Sequence, residues 1–149
     1  MKRFFRKPAL ALVGIVAGLL LAGCATDRPA GATAEQAQVR AVHGSLEVLG
    51  PDRRDWTPIF AGNRISQGMV LRTSANSTAD LRVGVDGPSV RLRPNSRLEL
   101  VRLLRFPDGR TQTILDLQAG EAFVDDKTVK TGSSVEIRTP RGVVSIPPK

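Results

Sequence analysis

Arginine recurs at alternate positions in "SVRLRPNSRLEL", residues 89–100, where Arg91, Arg93 and Arg97 flank a Pro-Asn-Ser break, and Arg82 precedes them in "ADLRVGV". A guanidinium is a planar fork of donors that binds carboxylate and phosphate oxygens in pairs, so a row of them on one strand face would grip an acidic polymer. The same row also suits a solvated sheet face stitched by surface ion pairs, each worth ~0–1 kcal/mol, with Asp80, Glu99 and Asp116 on neighbouring strands as partners. The solvated face is the leading reading and the oxyanion strip the second. Trp56 is the single tryptophan, and there is no tyrosine, so it is the one aromatic platform for a sugar ring. Its other role is to pack over an end of the fold.

Catalytic constellations are missing. His43 is the only histidine and has no cysteine or carboxylate at ligand spacing. Asp125 and Asp126 are adjacent, and neighbours on a strand point to opposite faces, which makes a poor acid/base pair. No nucleophile elbow and no phosphate-binding glycine loop occur. The expectation is a protein that is not an enzyme and has no cofactor and no metal.

Cys24 is the only cysteine, which voids any disulfide framework. Before it come a basic "MKRFFRK", an apolar "PALALVGIVAGLLLA" shorter than the ~20 residues a span requires, and a closing "LAGC". This end resembles the lipobox of bacterial lipoproteins. The resemblance implies cleavage of residues 1–23, diacylglycerol on the Cys24 thiol and acylation of its amine. At ~0.8 kcal/mol per buried CH2, three acyl chains would hold the chain on a membrane almost irreversibly. Ala25, where an aspartate would retain such a protein at the inner membrane, points to the outer membrane, facing the periplasm. Loss of Lys2, Arg3, Arg6 and Lys7 takes the 22 basic and 14 acidic side chains to 18 and 14, a net +4 on 126 residues. So mild a charge on an exported chain argues against nucleic acid as a partner.

These residues must be positioned by strands. Residues 24–38 are small and polar, and the expectation is an acylated cysteine followed by a flexible tether. From Val39 onward, apolar runs of four to ten residues end at Gly, Pro, Asn and Asp, as in "VRLR" before "PNS" and "RLELVRLLRF" before "PDG". That pattern predicts one all-β domain over 39–149 with almost no helix, stacked like a solenoid or a sandwich. Alternation puts Leu81, Val83 and Val85 on one face, and sets Val90 and Leu92 against Arg91 and Arg93, and Leu98 and Leu100 against Arg97 and Glu99. After Leu100 the alternation slips, which predicts a bulge or a strand buried on both faces.

The frame from Gly44 to Val144 resembles the FecR domain family, named for a regulator of ferric-citrate uptake. The residues that carry it are "GSLEV", "PIFAGNRISQGMVLRTSANSTADLRV", "DGPSVRLRPNSRLELV", "LDLQAGEAFVD" and "VEIRTPRGVVSI". The resemblance implies a compact all-β fold and a noncatalytic role. A lipid-anchored chain cannot reach a cytoplasmic sigma factor, so binding carries over from the family and that signalling contact does not. Two prolines after Ile146 end the last strand early, which implies either a minimal form of the domain or an edge for a partner to complete. The expected function is binding or scaffolding with another protein of the cell envelope. The alternatives are binding of an anionic glycan or cell-wall polymer through the arginines, and service as an accessory of envelope signalling.

Overall fold

The computed structural model describes residues 28–147. Cys24, with the signal segment and the membrane anchorage expected from the sequence, lies outside those residues. The described residues form thirteen strands and no helix: β1 (Thr33–Ala34), β2 (Gln36–His43), β3 (Leu46–Leu49), β4 (Thr57–Pro58), β5 (Arg64–Ser66), β6 (Val70–Thr73), β7 (Thr78–Val83), β8 (Ser89–Leu92), β9 (Arg97–Arg105), β10 (Thr111–Ala119), β11 (Ala122–Asp125), β12 (Ser134–Thr139) and β13 (Gly142–Ile146). They make two sheets. The larger runs β13-β12-β10-β9-β6-β3-β4, with β1 also paired to β9, and the smaller runs β11-β8-β7-β2-β5.

One apolar core lies between them. Ala37, Val39, Leu81, Val83, Val90 and Leu92 enter it from the small sheet, and Leu46, Leu71, Leu98, Leu100, Leu103 and Leu115 from the large one. Burying each leucine contributes about 1.5–3 kcal/mol, so the leucine and valine alternation suffices without aromatic residues. The sandwich is therefore the arrangement adopted. A coil-like step survives at one place: β10 and β12 pair in parallel, and the chain between them visits the other sheet as β11. The slip after Leu100 is a bulge, since Ile114 faces Arg102 and Leu115 faces Leu100, leaving Val101 unpaired.

Two corners use the same device. Asn76 and Asn95 take φ of 55° and 54°, a left-handed conformation asparagine tolerates, and each is followed by a buried serine. The Ser77 hydroxyl accepts the Ser45 N–H at 2.9 Å, and the Ser96 hydroxyl accepts the Glu121 N–H at 3.0 Å. Gly44 and Gly120 precede those amides at φ of 85° and 79°, and a Cβ on either would collide with its serine. "ANS" and "PNS" are thus one corner used twice.

Two expectations need correction. The tether does not reach residue 38, because β1 and β2 are already strands and Ala32 and Ala37 are buried. Alanine is small enough to lie over the core, and in a run of Gln and Glu it carries little apolar signal. Val85 does not face inward. β7 ends at Val83, Gly84 turns the chain at φ of 61°, and Val85 is 73% exposed.

Candidate functional site

The sheet pairings divide the four arginines between two surfaces. Arg82 and Arg91 stand on the outer face of the small sheet, on β7 and β8. Arg97 stands on β9 in the large sheet, opposite Arg72 of β6. Arg93 is exposed in the link between the sheets. They form no continuous strip, because β8 and β9 flank a corner at which the chain changes sheets.

Arg91 is committed to structure. Its Nε and Nη2 donate to the two Asp80 carboxylate oxygens at 2.6 and 3.0 Å, across the β7–β8 pair. That hydrogen bond, opposed by desolvation and helped by the arginine's charge, holds the Asp80 carboxyl below its ordinary value. Of the expected carboxylate partners, Asp80 is the one that pairs with an arginine of the quartet. Glu99 accepts instead from Gln118 Nε2 at 3.0 Å.

Trp56 is half-buried beside β4, and its ring is engaged by two guanidinium groups, Arg72 at 4.1 Å and Arg97 at 5.4 Å from the ring centre. Arg72 Nε also donates to Glu47 Oε2 at 2.7 Å. The indole takes both guanidinium groups of two arginines that are cross-strand partners on β6 and β9, where like charges would otherwise repel. Packing, rather than a free sugar platform, is the role this geometry gives it.

Arg82 gathers with two arginines that sequence reading did not name. Arg82 of β7, Arg40 of β2 and Arg64 of β5 line an open groove of about 570 Å³ on the outer face of the small sheet. Arg82 is in register with Gln38, and Gln38 with Arg64, so the groove crosses three strands. Arg40 joins them at the β2 bulge between Val39 and Ala41. None of the three makes an ion pair among the described residues. Arg40 and Arg64 lie 49 and 25 residues before the arginine-rich stretch that begins at Ser89, and only the strand order brings them together.

A second surface is defined by what it lacks. β13 is the end strand of the large sheet, and among the described residues nothing pairs with its outer edge. Val143 and Val144 point to opposite faces, yet are 59% and 54% exposed. The strand therefore projects past the cover of the small sheet. It stops at Ile146, as the two prolines after it require.

Other chemistry is sparse. Among the described residues no group of three or more His, Cys, Asp or Glu could hold a metal ion. His43 is exposed at the end of β2.

A family model described as FecR protein matches residues 69–147, more than half of the chain. The match runs from the turn before β6 through the end of β13. No significant match was found among curated proteins or among solved structures. The chain belongs to the FecR family.

Proposed function

We propose that this FecR-family chain is a noncatalytic lipoprotein of the bacterial cell envelope that binds another envelope protein by accepting one of its strands on β13. Lipidated Cys24 would hold it on the outer membrane, facing the periplasm, and the protein would need no cofactor. The open β13 edge carries this reading. Its five residues, "GVVSI", contain no charge and no proline, and both faces of the strand are uncovered. Natural sheets blunt their edges with lysine, proline, bulges or shortness, and β13 has none of these between Gly142 and Ile146. An extended segment laid along it would gain main-chain hydrogen bonds and contact Val143 and Val144 from either side. Family membership points the same way, toward a binding role tied to envelope signalling, with the chain as an accessory.

The test is recovery of partners from the intact envelope with the tagged full chain and with a Val143→Lys/Val144→Lys variant. The expected result is one envelope protein, recovered in near-equal amount with the original chain and at least tenfold less with the variant, whose fold is unchanged by circular dichroism. Equal recovery with both chains would sink the proposal.

A further inference from the structure

The groove across β7, β2 and β5 has no role in strand addition at β13, and its chemistry is of a different kind. Its charge is one-sided: Arg40, Arg64 and Arg82 line it, and the one carboxylate there, Glu35, accepts a hydrogen bond from Arg105 Nε at 2.6 Å. Elsewhere among the described residues Arg72, Arg91, Arg105, Arg110 and Arg138 are each matched by an Asp or Glu, while Arg93 and Arg97 stand apart from one another on different surfaces. Two of the groove arginines bond only neutral groups. Arg40 Nη1 donates to Gln38 Oε1 at 3.1 Å, and Arg82 Nη2 donates to the Val85 carbonyl at 3.2 Å. Clustered like charges destabilise a sheet, so three arginines without carboxylates are a standing cost that an anionic ligand would remove.

The remaining lining narrows the ligand. Gln36 Nε2 donates to Ser66 Oγ at 3.0 Å, which leaves the Gln36 carbonyl as an acceptor. The Gln38 carbonyl takes Arg40, which leaves the Gln38 amide N–H groups as donors. One spare acceptor beside one spare donor suits hydroxyl groups, which do both. The site is a concavity on a sheet face: a flat bilayer surface cannot enter it, and a polypeptide seeking main-chain pairing would go to an edge. A volume of about 570 Å³ is within the usual range for a ligand site, and the open form admits a chain longer than the groove.

We infer that this groove binds an acidic polysaccharide, with Arg64 and Arg82 taking carboxylates on either side of Gln38, and Gln36, Gln38 and Ser66 taking hydroxyls. Arg40 supplies charge along the β2 side. Arg40 and Arg64 lie outside the segment matched by the family model, and Arg82 lies inside it. The inference stands independently of strand addition at β13.

The probe is polygalacturonate, titrated against the full chain in detergent, with its methyl-esterified form, sodium acetate and phosphatidylglycerol vesicles in parallel. The acidic polymer should bind, and more weakly as salt rises, while the neutral ester should not. An Arg64→Gln/Arg82→Gln variant should lose about tenfold or more in affinity, as expected for charged hydrogen bonds. Arg91→Gln, which alters an arginine already taken by Asp80, should change it less than about twofold. No binding of the polymer would overturn the inference, as would an equal loss with Arg91→Gln. Acetate binding as tight as the polymer's would reduce the groove to a simple anion site, and equal binding to the vesicles would assign it to the membrane; either contradicts a polysaccharide site.

Discussion

The two ends of the large sheet are finished in opposite ways. At one end β4 has two residues, one of them Pro58, and Trp56 beside it lies against Arg72 and Arg97. At the other end β13 has five uncharged residues with Val143 and Val144 in solvent. Shortness, proline and charge are the means by which natural edges refuse further strands. β4 is short and contains a proline, whereas β13 has neither proline nor charge between Gly142 and Ile146. On the proposed reading, strand addition belongs to the β13 end and structure to the β4 end.

The comparison requires both ends to belong to one cooperative unit, and the largest effect tests that. Leu98 is fully buried on β9, which pairs toward β6 on one side and β10 on the other. Leu98→Ala should cost about 2–5 kcal/mol in denaturant unfolding. Both ends should lose stability at one midpoint, followed by fluorescence of Trp56 and by hydrogen exchange in β12. Separate midpoints would mean that the open end is a loosely attached appendage.

A smaller effect separates the ends. Trp56→Ala removes two cation–π contacts and leaves Arg72 and Arg97 facing each other, which should lower stability by about 1–3 kcal/mol. Partner recovery through β13 should not change. The reverse holds for Val143→Lys/Val144→Lys, which should alter stability by no more than about 0.5 kcal/mol, as usual for exposed positions. A variant that moved both readouts together would dissolve the distinction between the ends.

The smallest effect is a pH dependence confined to the segment leading into β12. Lys130 Nζ lies 2.9 Å from Asp86 Oδ2, and the Thr128 hydroxyl donates to the Gly87 carbonyl, which ties residues 127–131 to the turn after β7. The Lys130 hydrogen bond, against desolvation and with the charges of Lys130 and Arg105, holds the Asp86 carboxyl below its ordinary 3.8. A depressed folded-state pKa adds stability above pH 3.8 that is lost as pH falls through the lower folded value. Protection factors of residues 127–133 should therefore fall below pH 3.8 while those of β6 hold. Asp86→Asn should remove that difference in response.

Much of the fold was legible because strand alternation is local. Val90 and Leu92 inside against Arg91 outside, the slip at Val101 and the stop at Ile146 all follow from neighbours in sequence. What was not legible depends on which strands lie side by side. Arg82, Arg91, Arg93 and Arg97 resemble one strip in the sequence, but the corner at Asn95 sends Arg97 to the other sheet. Arg40 and Arg64 give no signal at all, since each is an isolated arginine until β5 pairs with β2. The start of the domain was misplaced for a different reason. Alanine buries too little surface to announce a core strand, so the pattern of Ala37 before Val39 was indistinct from a tether.

The most direct measurement of the central claim compares the two edges in the living envelope. A photoreactive amino acid is placed at Val144 in one chain and at Thr57 in another, and the adducts are identified after irradiation. The account predicts that position 144 yields an adduct with one envelope protein, mapped to a single short segment of that partner, and that position 57 yields none. Adducts from both edges alike, from neither, or only with a second copy of this chain would contradict it.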